Sequence, residues 1–212
     1  MSFVLFVVKI SPITLCAAMW NLTKPNSDHV ARFLAEQRQL PLTFHSGMVA
    51  GFSVDHARVL LGQGEADYRA ACQAIRQWRM FPREWTEVSP ESDALSVGEN
   101  VAVAARAFGV WWLNACRIVS LTDETHPARR FGFTYVTLPG HVEQGEEEFL
   151  VEWDADDRVW YQIRAVSRPR YWLVWLAYPL ARRLQSQFRR DSMQSMQDAV
   201  RANSSSKGKR PA

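Results

Sequence analysis

Three runs within Gly109–Arg168 decide the fold: GVWWLNACRIVSL (109–121), RRFGFTYVTLPGHVEQGEEEFLVEW (129–153) and RVWYQIRAVSR (158–168). Each is dominated by aromatic and β-branched residues, the composition of strands. The breaks between them carry Asp, Glu, Gly and Pro, the composition of turns. Alternation places Trp112, Asn114, Cys116 and Ile118 on one face of the first run and Trp111, Leu113, Ala115, Arg117 and Val119 on the other. Neither face is cleanly polar, so both are expected to be covered. Phe131, Phe133, Tyr135 and Thr137 align in the second run. Past the Pro139-Gly140 break, Phe149, Val151 and Trp153 align, and in the third run Val159, Tyr161, Ile163 and Ala165 do so. Asp154 to Asp157 reads as a hairpin turn. The runs are long for strands, which suits a curved sheet.

Upstream, Asn26-Ser27-Asp28 offers helix caps ahead of the stripe Val30, Phe33, Leu34, and Leu40-Pro41 closes that helix. Val54–Leu61 alternates as a strand, and Gly62-Gln63-Gly64 reads as a turn. Glu65–Phe81 carries a helical stripe, Tyr68, Ala71, Cys72, Ile75 and Trp78, before Pro82; such a stripe is a core face. Trp85–Val88 is a short strand. Asn100–Phe108 alternates weakly with small side chains, leaving room above it for a packed helix or a cavity. Downstream, Leu176, Leu180, Leu184, Phe188, Met196 and Val200 form a ladder on a long helix that starts near Leu173 or Pro179. Arg182, Arg183, Arg189 and Arg190 read as its solvated side. Residues 203–212, with a Ser run and KGKR, read as a disordered tail. Residues 1–18 hold two short apolar runs broken by Lys9 and Pro12, and read as an extension outside the fold, with Met19 as an alternative start. A membrane anchor and a signal peptide are the other readings of that segment. The domain is then 19–202.

Composition narrows the function. The 212 residues are 47% hydrophobic with nine Trp, enough for a sizeable core, and a net charge of +3 does not call for nucleic acid. Cys16, Cys72 and Cys116 lie far apart with no CxxC, which points away from a disulfide framework and toward a reducing, cytoplasmic compartment. There is no phosphate loop, dinucleotide fingerprint or GxSxG. His141 with Glu143, Glu146, Glu147 and Glu148 has the chemistry of a metal ligand or acid–base group, but HxE is not HExxH, and a solvated strand–turn segment is the simpler reading. No metal and no cofactor are expected. Cys116, in an apolar strand, reads as an inert buried thiol. Glu152 and Arg164 are placed to pair across the last hairpin, and His56 is a distant candidate to approach His141.

The order of strand, helix, several antiparallel strands and one long final helix resembles the helix-grip fold of the START and birch-pollen-allergen superfamily. The expected class is therefore α+β: a curved antiparallel sheet wrapped around a long C-terminal helix, with extra N-terminal helices. The segments VDHARVLLGQGEADYRAA, VGENVAVAARAFGVWWLNACRIV, RRFGFTYVTLPGHVEQGEEEF and RRDSMQSM resemble domain-of-unknown-function family nineteen-ninety, of bacteria and plants, over about Leu22 to Val200. Thr137–Glu147 is the most specific part. The resemblance implies a fold and no particular reaction.

That fold implies a cavity between sheet and helix. The expected function is binding of a small hydrophobic or amphipathic molecule, with Trp112, Asn114, Arg117, Tyr135, His141 and Tyr161 as candidate ligand-binding residues. Two alternatives belong to other classes: a cyclase- or dehydratase-like enzyme using His141 or a carboxylate as its pocket acid–base, and a membrane-associated envelope protein.

Overall fold

The computed structural model describes residues 20–45, 47, 49–126, 128–170 and 178–207. In chain order they form β1 (Trp20–Asn21), α1 (Ser27–Gln37), β2 (Ser53–Gln63), α2 (Gly64–Arg76), β3 (Thr86–Pro90), β4 (Asn100–Ala107), β5 (Val110–Glu124), β6 (Arg129–Thr137), β7 (Glu143–Trp153), β8 (Arg158–Pro169) and α3 (Tyr178–Lys207). The strands make one antiparallel sheet in the order β2-β8-β7-β6-β5-β4-β3. β1 pairs with the start of β5 at Trp111 and Trp112, where β6 has already ended. The curved sheet holds α3 across one face, so the helix-grip arrangement expected from the residue pattern is the observed one.

On that inner face Phe133, Phe149, Tyr161 and Ile163 pack with Ile75 of α2 and Met196 of α3. Tertiary packing of this kind, rather than intrinsic propensity, supplies most of the stability of such helices. The outer face is covered too. Val30, Phe33 and Leu34 of α1 pack on Ala102, Ala104, Leu113, Ala115 and Leu138. This is why β5 has no polar face: one side meets the inner core and the other meets α1.

Several local expectations need correction. Gly62-Gln63-Gly64 is no turn: β2 continues to Gln63 through a bulge after Leu60, and α2 begins at Gly64, whose φ of +77° suits glycine. The Asp67 carboxylate accepts from the Gln63 amide (3.0 Å), tying the strand end to the helix. The helix stops at Arg76, short of Phe81, because Trp78 turns the chain in a left-handed conformation (φ 56°) and packs edge-on against Phe133. α3 runs on to Lys207, into the segment read as a tail; the first helix-breaking residue after Pro179 is Gly208. The suggested start near Leu173 lies outside the described residues, as does the extension 1–18.

The arginines of α3 are not all a solvated face. Arg182 and Arg189 point at the sheet and pair with Asp55 of β2. Glu152 pairs with Arg58 and Arg130 instead of Arg164, which pairs with Glu146. Glu152 stands opposite Trp160 in the register, four positions from Arg164, which faces Glu148. His56 lies on the outer, exposed side of β2 beside Gln162, and so does not approach His141. Among the described residues, no helix is long and apolar enough to cross a membrane.

Candidate functional site

The small side chains of β4 leave the expected space. Between the sheet and the first half of α3 lies a cavity of about 510 Å³. Its walls are largely apolar: Val103, Ala105 and Trp112 from the sheet, Phe81 and Trp85 from the segment after α2, and Leu184 and Phe188 from α3. Its mouth is rimmed by Trp20, Phe108 and Leu180, which remain 46%, 59% and 38% exposed, so the entrance is apolar like the walls. Phe108 sits at the tip of the β4–β5 hairpin with φ 55°, followed by Gly109 at φ 81°, a two-residue turn that projects the ring.

Polar groups gather at one end, where β6, β7 and β2 face α3. The Tyr135 hydroxyl donates to Glu147 Oε2 at 2.6 Å. The two residues are register partners on β6 and β7, so the sheet itself brings them together. Burial, with the Glu143 carboxyl adding charge nearby, pushes Glu147 up to about 7. Glu143 is also raised by burial, and its Oε1 accepts from Gln185 Nε2 at 2.6 Å. Asp55 is held below the usual carboxylate range by hydrogen bonds from Arg182, at 2.5 and 2.7 Å, and by the charge of Arg189. His141 Nδ1 accepts from the Glu143 amide at 2.9 Å, which leaves the proton of the neutral ring on Nε2. Burial lowers this histidine to about 4. At neutral pH the ring is a fixed hydrogen-bonding group, and the carboxyl of Glu147 is the group poised to exchange a proton.

Of the residues singled out from the sequence, Trp112, Asn114, Tyr135 and His141 line this cavity. Asn114 also holds the backbone there, accepting from the Val142 amide at 3.3 Å. Arg117 does not belong to it. On the outer side of β5 it donates to Asn100 Oδ1 (2.8 Å) and to the carbonyls of Gln37, Arg38 and Leu40, where α1 ends. A cation there meets the negative end of the helix. Tyr161 does not line the cavity either: it is fully buried, with its hydroxyl 2.9 Å from Ser192 Oγ, and joins the sheet to α3. Cys116 is fully buried and its thiol is pushed well above the ordinary value by burial, so it stays protonated. Among the described residues no three His, Cys, Asp or Glu groups come together to hold a metal.

Sequence reasoning misses Asp55 and Gln185, and it names Glu143 and Glu147 only within an acidic cluster for which a solvated segment is the simpler reading. The structure overturns that reading by splitting the run. Glu143 and Glu147 share the inward parity of Phe149 and Val151, whereas Glu146 and Glu148 point away, with Glu146 bonded to Arg164. The period of two, extended back from Phe149, was the available signal.

The segment Thr137–Glu147 combines structural and cavity roles. Thr137 Oγ1 bonds both the Gly145 amide (3.0 Å) and its carbonyl (3.2 Å), Gly140 lies against α1, and His141, Glu143 and Glu147 reach the cavity.

Comparison with known proteins identifies the family. The family model described as Domain of unknown function (DUF1990) matches residues 37–195. A UPF0548 protein of Dictyostelium discoideum is 35% identical over 163 residues, 73% of this chain and 76% of that protein. A UPF0548 protein of Deinococcus radiodurans is 35% identical over 181 residues, 76% of this chain and 89% of that protein. The crystal structure of human STARD10 is similar at 10% identity and a TM-score of 0.46, over 88% of this chain and 84% of that one. With a matching family model across most of its length and relatives this close, the chain belongs to the DUF1990 (UPF0548) family.

Proposed function

We propose that this protein binds a small, largely apolar or amphipathic molecule in the cavity between the sheet and α3. The cavity carries this reading: about 510 Å³, apolar walls, an apolar mouth and a few convergent polar groups at one end. That is the size and character of small-molecule sites. Burying apolar ligand surface drives binding at ~25 cal/mol per Å², and Trp112, Asn114, Tyr135 and His141 fix orientation. A cytoplasmic location belongs to the same reading, supported by Cys72 and Cys116 being free and buried.

The test is native mass spectrometry of the purified protein, followed by extraction of any carried molecule and thermal-shift screening of lipids and metabolites. Wild type carries or responds to a ligand. Ala105→Trp fills the cavity wall and loses that response while its circular dichroism is unchanged. A wild-type protein that is clean and silent across the panel overturns the reading.

One observation favours a second reading, an acid–base enzyme of the cyclase or dehydratase type. Glu147 is raised to about 7 and hydrogen-bonded to Tyr135 inside an apolar cavity, the condition for a carboxyl to donate and accept protons near neutrality. Here Glu147 takes the role that the sequence offered to His141 or a carboxylate. Turnover of the extracted ligand, lost in Glu147→Gln with binding retained, supports it; an unchanged ligand after long incubation overturns it.

A further inference from the structure

We infer that the free edge of β2 docks a partner protein: it takes an extended segment in which acidic residues alternate with β-branched ones, added to the sheet as a further strand beside the arginines of α3. This goes beyond ligand binding and does not depend on what the cavity holds.

Two independent observations meet at this edge. The first is the direction of its backbone. The Asp154 amide donates to the Arg158 carbonyl (2.9 Å), and the register carries that parity along the hairpin, so the even-numbered residues of β8 bond to β7. Tyr161, Ile163 and Ala165 are left to bond to β2, at Val59, Ala57 and Asp55. Val54, His56 and Arg58, which lie between, therefore aim both backbone groups away from β8. The Leu60 carbonyl shares this direction and shows it, accepting from Gln197 Nε2 of α3 at 3.1 Å. The bulge after Leu60 ends the open stretch. Among the described residues nothing bonds to the N–H or C=O of Val54, His56 or Arg58, and β2 has no strand neighbour besides β8. An open edge of this kind is a template for strand addition. The opposite edge differs: β3 has five residues and ends in Pro90, features that resist such pairing.

The second observation is charge. A groove of about 660 Å³ runs between β2 and α3, bordered by Ala57 on the strand and by Arg182, Arg183, Arg189, Arg190 and Met193 on the helix. Arg182 and Arg189 bond to Asp55, and their charges also act on Glu143 and Glu147, so carboxylates answer both. Arg183 and Arg190 are exposed, and among the described residues neither makes a hydrogen bond or an ion pair. A strand added about 4.8 Å beyond β2 points every second side chain to the inner face of the sheet, the face of Ala57, and so into this groove. Acidic side chains there meet the two unanswered cations. The intervening side chains fall beside Val54 and Leu60, exposed apolar residues on the outer face, where β-branched partners pack well. A segment alternating acid with valine matches both rows, whereas a basic one sets like charges into the groove.

The test uses three fluorescein-labelled octapeptides: TEVEVEVT, its lysine copy TKVKVKVT, and TEEEVVVT, which has the composition of the first without its alternation. Each is titrated into the full chain by fluorescence anisotropy. The alternating acidic peptide binds about tenfold or more tighter than either copy, and added salt weakens it. The double variant Arg183→Glu, Arg190→Glu changes two exposed side chains, keeps the circular dichroism of wild type and lowers that affinity about tenfold or more. Hydrogen exchange read by NMR reports on the backbone: saturating peptide slows the amides of Val54, His56 and Arg58 about tenfold or more, and slows them more than the amides of Asp55, Ala57 and Val59, which are already bonded to β8. Binding that leaves those three edge amides unprotected overturns the inference. So does equal binding of TEEEVVVT, or an affinity unchanged in the double variant. Silence of the acidic peptide overturns it as well, and if vesicles containing phosphatidylserine then bind wild type and not the double variant, the arginines belong to a membrane surface instead.

Discussion

Arg182 grips Asp55 with both guanidinium nitrogens, Nη1 to Oδ2 at 2.5 Å and Nη2 to Oδ1 at 2.7 Å, across 127 residues of sequence. This bidentate pair fastens the first turns of α3 to the edge strand β2 beside the cavity, and Arg189 adds a second cation about two turns further along. Asp55→Asn keeps the shape and removes the charge, leaving two partly buried arginines facing an amide. The expected loss is about 1–3 kcal/mol of unfolding free energy, measured by urea denaturation. Because Asp55 is depressed in the folded state, its contribution is full above the unfolded carboxylate value and is lost as pH falls from there through the lower folded value. The difference between wild type and Asp55→Asn should therefore shrink in acid; a difference independent of pH would contradict the pair's role.

Arg117 predicts a separation of stability from binding. Its guanidinium holds Asn100 and three carbonyls at the end of α1, on the face of the sheet opposite the cavity. Arg117→Ala should cost about 1–3 kcal/mol in chemical denaturation, and Arg117→Lys should recover little of it, because an ammonium cannot span the same set of acceptors. Ligand affinity, measured below the unfolding transition, should stay within about twofold of wild type. A binding defect larger than the stability defect would place Arg117 in the site after all.

Glu147 and His141 make opposite contributions to the dependence of stability on pH. Glu147 is raised from 4.5 to about 7, so between those values the folded state holds a proton that the unfolded state has released, and this term weakens the fold as pH rises. His141 is lowered from 6.5 to about 4, so between those values the unfolded state gains a proton that the folded state refuses, and this term strengthens the fold as pH rises. The windows overlap, and the wild-type profile should be nearly flat between pH 4.5 and 6.5. Glu147→Gln should then become more stable with rising pH, and His141→Asn less stable, each with a slope approaching about 1.4 kcal/mol per pH unit. Thermal denaturation across this range reads both slopes, and parallel profiles for the two variants would refute the assignment.

Gly140 explains part of the motif around it by close packing. A Cβ there would lie 2.7 Å from Phe33 Cζ and 2.8 Å from Gln37 Cδ. Both side chains are almost fully buried in α1, and Gln37 Oε1 accepts from the Gly140 amide at 2.7 Å, so neither can step aside. Gly140→Ala should destabilise by about 1–3 kcal/mol through overpacking and increase hydrogen exchange in α1. An alanine variant as stable as wild type would show that α1 is free to shift.

The sequence by itself determined the strands, their inward and outward faces and the long final helix, because alternation and helical periodicity are written in neighbouring residues. It also determined which short side chains on β4 leave room for a cavity. What it could not determine was pairing between elements distant in the chain. Arg117 and Tyr161 sit on strands beside true cavity residues, yet one face of β5 belongs to α1 and one ring of β8 belongs to Ser192. Glu147 carries the same side chain as its outward neighbours Glu146 and Glu148. Only the folded sheet, which sets it opposite Tyr135 and beneath α3, withdraws it from water and moves its proton to neutral pH. Local pattern is a property of the chain, whereas desolvation and counter-charge depend on what folding brings near, and those decide the chemistry of this cavity.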